Sequence, residues 1–95
     1  MKNQKCIVRG DRSGVFYGEV VRNDGREVEL SNCRRLWYWN GATECCQLAL
    51  DGVKEPLKCK FTVSVPSIVI LDAIELIPCS ASACKSIEAV PVWKM

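Results

Sequence analysis

The sequence predicts an α+β fold: a single domain over residues 1–95, with an antiparallel sheet of five or six strands and two short helices. Three observations predict it. Short runs rich in β-branched and aromatic residues, punctuated by Gly, Asn and Asp, fill the first forty positions. Two later stretches place small and apolar residues at helical spacing beside a cap or stop residue. Finally, 95 residues allow one core and no second one. Hydrophobic residues at 48% and charged residues at 25% match ordinary globular usage, which excludes a disordered or collagen-like chain.

The elements follow in order. Residues 5–9 read as a short strand, and Gly10-Asp11-Arg12-Ser13-Gly14 as a turn. Residues 15–22 form a second strand with Gly18 inside it, the mark of a bulge or a close backbone approach. Asn23-Asp24-Gly25 signals a hairpin, and residues 27–31 then alternate polar and apolar. Residues 34–39 read as a separate short strand ended by Asn40-Gly41. Ala42, Cys45, Cys46, Ala49 and Leu50 fall at helical spacing before Gly52, predicting a helix over 42–51 with those residues inward. Residues 60–65 form a strand candidate, and Pro66-Ser67 a turn. Residues 68–77 fit helix or strand by pattern. Their β-branched content favours a strand, or two with a kink near Asp72. Ser80 caps a second helix running to about Ala89, with Ala83, Cys84 and Ile87 inward. Two short helices leave sheet surface uncovered, so a homo-oligomer is expected.

Charge and cysteine usage narrow the function. The net charge is +2, too small for nonspecific adhesion to nucleic acid or membrane. All six arginines lie within the first 35 positions. Seven cysteines, an odd number, follow an opening Met-Lys-Asn-Gln-Lys that lacks an apolar signal segment. They read as reduced thiols of a cytoplasmic protein, packed as small hydrophobes. The chain has no His, and its one pair at ligand spacing, Cys79 and Cys84, puts the second Cys in a helix. No metal site and no cofactor are therefore expected. No apolar run is long enough to cross a membrane as a helix.

Arg34-Arg35-Leu36-Trp37-Tyr38-Trp39 concentrates three of the seven aromatics beside two arginines. On a strand Arg35, Trp37 and Trp39 share one face, and Arg34, Leu36 and Tyr38 the other. Indole faces beside guanidinium suit a planar base carrying a phosphate. Packing in a core or an oligomer interface competes for the same tryptophans. The Gly10–Gly14 segment reads first as an ordinary turn; its backbone N–H groups, hydroxyl and Arg12 offer only a weak signal of a phosphate cradle. The candidate ligand-binding residues are Arg9, Arg12, Arg34, Arg35, Trp37, Tyr38, Trp39 and Trp93. Catalysis has no support: there is no His for general base work and no nucleophile elbow.

Val8 to Phe16, Arg34 to Ala42, Cys59-Lys60-Phe61, Glu75 to Cys79 and Val90-Pro91-Val92-Trp93-Lys94 together resemble a family of small tailed-phage and prophage proteins. The resemblance spans nearly the whole chain and implies context rather than chemistry. Phage proteins of this size often counter host defence. By that analogy the chain is expected to sequester a cyclic nucleotide immune signal in the host bacterial cytoplasm without cleaving it. A protein-binding inhibitor of a defence enzyme, similar to an anti-CRISPR, is the alternative. A phage structural or nucleic-acid-handling module is the third reading.

Overall fold

The computed structural model describes residues 3–93. Met1, Lys2, Met95 and Lys94, the last residue of the Val-Pro-Val-Trp-Lys run, lie outside the described residues. Six strands and two helices follow one another: β1 (Lys5–Gly10), β2 (Val15–Asp24), β3 (Glu27–Tyr38), α1 (Cys45–Asp51), β4 (Lys60–Phe61), β5 (Val65–Ile70), β6 (Ala73–Pro78) and α2 (Ala81–Glu88). A single 3-10 turn, Pro56–Lys58, precedes β4. The predicted α+β class with six antiparallel strands is the fold observed.

The strands are ordered β4-β3-β2-β1-β6, with β5 also pairing β3. β3 is one 12-residue strand where the sequence predicts two, because a bulge carries it past its irregular midpoint. Tyr17 opposes Arg34 while Glu19 opposes Ser31, so β3 holds an extra residue there. Asn32 supplies it with a φ of 48°, a left-handed conformation that Asn tolerates. Gly18 faces this bulge. A Cβ on it would meet Leu30 Cβ and the Ser31 carbonyl oxygen at 3.1 Å, so the close approach expected of Gly18 is real.

Four further expectations are corrected. Pro66 and Ser67 lie inside β5 rather than in a turn. β5 pairs on one side with β3, and Ser67 and Val65 are matched there to Ser31 and Cys33, which leaves Pro66 at a position that tolerates a missing N–H. The hairpin turn is Gly25-Arg26, with Asp24 already paired to Glu27. The inward face of α1 is Cys45, Leu48 and Ala49, whereas Cys46 is exposed and Leu50 is 64% exposed. The helix starts later than predicted, at the Glu44 cap, whose carboxylate accepts from Cys46 N at 3.0 Å and Gln47 N at 3.2 Å. α2 matches its prediction: Ser80 Oγ accepts from Ala83 N at 3.0 Å, and Ala83 and Ile87 are buried.

Both faces of the sheet are filled. Ile7, Tyr17 and Leu36 pack under α1 and α2 with Leu48, Phe61 and Ile87. On the other face Val8, Phe16, Val20, Leu30 and Cys33 meet Ile70 and Ala73. Ile70 ends β5 and Ala73 begins β6, at opposite ends of the sheet, so the sheet curls until its ends meet across Leu71 and Asp72. Each large side chain removed from water in this way contributes roughly 1.5–3 kcal/mol. The curl covers the sheet face that the two helices leave open. Five of the seven cysteines (Cys6, Cys33, Cys45, Cys59 and Cys79) are buried as small apolar side chains. Burial pushes the thiols of Cys33 and Cys79 up to about 12.

Asp72 fastens the curl. Its Oδ2 accepts from the backbone N–H groups of Arg12 at 2.9 Å and Ser13 at 3.1 Å, and its Oδ1 accepts from the Ser13 hydroxyl at 2.6 Å. These bonds, that of Ser13 first, hold the carboxyl below its ordinary 3.8. A depressed native pKa stabilises the fold above the ordinary value and ceases to do so as pH falls through the native one. Asp72→Asn is therefore expected to lower the urea midpoint at pH 7, and the gap from wild type should close as the pH is taken below 3.8. A gap of constant size down to pH 2 would show that the charge of Asp72 does not serve as the fastener.

Candidate functional site

The two neighbouring arginines of β3 have opposite fates. Arg34 points to the helix side and is 5% exposed. Its Nε donates to Thr62 O at 2.8 Å, Nη1 to Ile87 O at 2.9 Å, and Nη2 to Phe61 O at 3.3 Å and Pro91 O at 3.4 Å. Its guanidinium also lies 5.5 Å from the Phe61 ring centroid. Burial lowers its pKa, yet an arginine stays protonated at any ordinary pH. Every nitrogen of this guanidinium is occupied by the protein's own carbonyls, which gives Arg34 a structural task rather than the ligand contact expected of it.

Arg35 turns the other way. Its guanidinium stacks 4.5 Å from the Phe16 ring centroid, and Nη1 donates to the Ser13 carbonyl. Nε and Nη2 have no acceptor among the described residues. The backbone of Arg35 is fixed as well: its N–H donates to Thr62 Oγ1 at 3.0 Å, and its carbonyl accepts from Thr62 N at 3.0 Å. The result is a half-buried, pre-positioned cation beside a groove of about 400 Å³ formed by Ser13, Phe16, Ile68, Ile70 and Asp72.

Two residues further on, Trp37 is 64% exposed and stacks on Trp93, with centroids 6.3 Å apart and planes 10° apart. Trp93 is brought there by the segment after α2. Val92 forms a parallel bridge with Phe61, and Trp93 N donates to Phe61 O at 2.9 Å. Lys60 Nζ sits 5.5 Å from the Trp93 centroid. Sequence reasoning missed Lys60, because only the pairing of Tyr38 with Lys60 brings it to the indoles. Tyr38 is also exposed, at 49%. Trp39 does not join this group: β3 ends at Tyr38, and Trp39 packs on the core under the helices. Its expected alignment with Arg35 and Trp37 is thus corrected by the end of the strand.

The remaining candidates lie apart from the indoles. Arg9 pairs with Glu75 at 2.9 Å on the surface. The side chain of Arg12 is exposed, while its backbone N–H belongs to Asp72. A second groove of about 380 Å³ runs between Lys5, Tyr17, Asn32, Arg34 and Glu88. There Glu88 accepts from Lys5 Nζ at 2.7 Å and from the Tyr17 hydroxyl, bracketing α2 to β1 and β2. Lys5 foremost, then Tyr17, lowers the Glu88 pKa, and burial foremost raises that of Tyr17.

Residues 3–87 match the family described as Domain of unknown function (DUF6948). The chain belongs to that family. The match includes β3 and its arginines but stops before Trp93. No curated protein and no solved structure matches the chain. Among the described residues no helix is long and apolar enough to cross a membrane.

The contrast between the two arginines yields a stability test. Removing Arg34 leaves buried carbonyls without their donor, at about 1–3 kcal/mol each, partly offset by relief of the buried charge. Arg34→Met is expected to cost roughly 2–4 kcal/mol in chemical denaturation, and Arg35→Ala about 1 kcal/mol or less. Equal losses would contradict the assignment of Arg34 as the structural member of the pair.

Proposed function

We propose that this chain is a non-catalytic binding protein whose ligand belongs to the nucleotide class. A base stacks on Trp37 beside Trp93, and Arg35 and Lys60 take its phosphate. The observation that carries this reading is Trp37: an indole 64% exposed, oriented by a parallel neighbour, two residues from a half-buried Arg with free donors. Aromatic side chains supply the largest apolar area of any type, so one left in water offers a stacking surface. The resemblance to phage proteins supplies the setting. In the host bacterial cytoplasm such a protein would sequester a cyclic nucleotide immune signal and leave it intact.

A protein partner is the second reading. It is favoured by Leu57 at 86% and Val63 at 57% exposure, which flank β4 next to Lys60. Trp, Tyr and Arg are the residue types that dominate interface hot spots, and Trp37, Tyr38 and Arg35 lie beside this apolar surface. A second copy of the chain is one such partner. Both sheet faces are filled, so the exposed Trp37 surface is what supports that self-association.

Purified protein incubated with cyclic dinucleotides or cyclic ADP-ribose isomers, washed and heated, is expected to release the ligand unchanged. Stacking contributes about 1–3 kcal/mol and an Arg–phosphate bond about 1.5–3 kcal/mol. Trp37→Ala and Arg35→Ala should each weaken binding at least about tenfold while the protein stays folded. Unchanged affinity in both variants, or no ligand from the whole panel, would transfer the surface to the protein-partner reading.

A further inference from the structure

The loop between β1 and β2 is an anion cradle, and the anion it holds is the protein's own. The bonds from Arg12 N, Ser13 N and Ser13 Oγ converge on both oxygens of Asp72. Asp11 N donates to the Asp72 backbone carbonyl at 2.9 Å, and Gly10 N closes the loop on Gly14 O at 2.8 Å. The berth exists because residue 10 is glycine. A Cβ there would stand 1.9 Å from Ser13 Oγ and 2.8 Å from Asp72 Oδ1. Arg35 reaches the same loop through the Ser13 carbonyl, and the groove of about 400 Å³ joins it to Asp72.

Converging N–H and O–H donors with a guanidinium beside them form the chemistry that recognises phosphate. A carboxylate offers one negative charge and two oxygens. A phosphate group offers nearly two charges and three acceptor oxygens. The third oxygen suits the donors that Arg35 leaves free. We propose that the Gly10–Gly14 loop and Arg35 form a phosphate site which Asp72 fills in the free protein, and that a di- or polyphosphate displaces Asp72 from it. Because Asp72 is tethered nearby, its effective concentration is of millimolar order or higher, so only a multiply charged competitor prevails. Displacement releases the Leu71-Asp72 turn that joins the two ends of the sheet, so occupancy loosens the curl. This goes beyond the stacking reading, since the site asks for no base.

The test titrates inorganic pyrophosphate at low ionic strength into the whole ¹⁵N-labelled protein, wild type and Asp72→Asn, followed by NMR. In the wild type the amides of Arg12 and Ser13 and the Nε of Arg35 are expected to shift and saturate in the millimolar range. Asp72→Asn, which removes the competing charge and keeps the side chain's shape, should bind at least tenfold more tightly. Static Arg12 and Ser13 amides in the wild type, or an Asp72→Asn midpoint no lower than that of the wild type, overturn the proposal. If Asp72→Asn does not fold, the wild-type titration repeated on Arg35→Ala decides: loss of saturation supports the site, and an unchanged midpoint overturns it. A failure with pyrophosphate leaves base stacking on Trp37 standing, because nucleotide binding at the indoles is measured separately.

Discussion

Arg34 carries a positive charge into the space between β3, β4 and the end of α2, and meets there the carbonyl oxygens of Thr62, Phe61, Ile87 and Pro91. Those four residues belong to segments that otherwise share few hydrogen bonds. Carbonyl dipoles replace water around the guanidinium, and each charge-assisted bond is stronger than a neutral one. The constraint reaches the surface. Fixing Pro91 and Phe61 fixes the bridge of Val92 to Phe61, and that bridge delivers Trp93 to Trp37. The pairing of exposed Trp37 with half-buried Trp93 is therefore a consequence of a buried cation several residues away.

The bulge at Asn32 decides which arginine plays this part. Before it, Val28 and Leu30 face the curled side of the sheet; after it, Cys33 does, and so does Arg35 against Phe16. Were Asn32 a regular strand residue instead of a bulge, the phase of β3 would reverse beyond it, placing Arg35 on the helix side and Arg34 on the curled side. Gly18 makes the bulge sterically admissible from the opposite strand. Two small features of the backbone thus separate a structural guanidinium from one free to bind.

Much of this was legible in the residues. The meander of β1 to β3, the cap at Ser80 and the kink at Asp72 each rest on a local signal: alternation, a hydroxyl before a helix, a polar residue within an apolar run. The opposite facing of Arg34 and Arg35 follows from strand periodicity, but which face is buried does not, because that depends on where α2 packs. Lys60 was illegible for the same reason: its place beside Trp93 comes from pairing across a long connection. The Gly10–Gly14 segment read first as an ordinary turn and only weakly as an anion cradle, because the group it holds, Asp72, lies 58 residues on from Gly14 and is invisible to any local pattern. Trp39 was misplaced because periodicity cannot say where a strand stops.

The central claim, that one arginine of the pair holds the fold while its neighbour keeps Nε and Nη2 unpaired among the described residues at the edge of a groove, is tested most directly by hydrogen exchange at the arginine Nε–H groups, followed by NMR on the wild-type protein. Arg34 Nε, bonded to Thr62 O at 2.8 Å in a buried setting, should exchange only when the structure opens, at least about a hundredfold more slowly than Arg35 Nε. Arg34 exchanging as fast as the exposed Arg12, or protection found at Arg35 instead, would contradict the account.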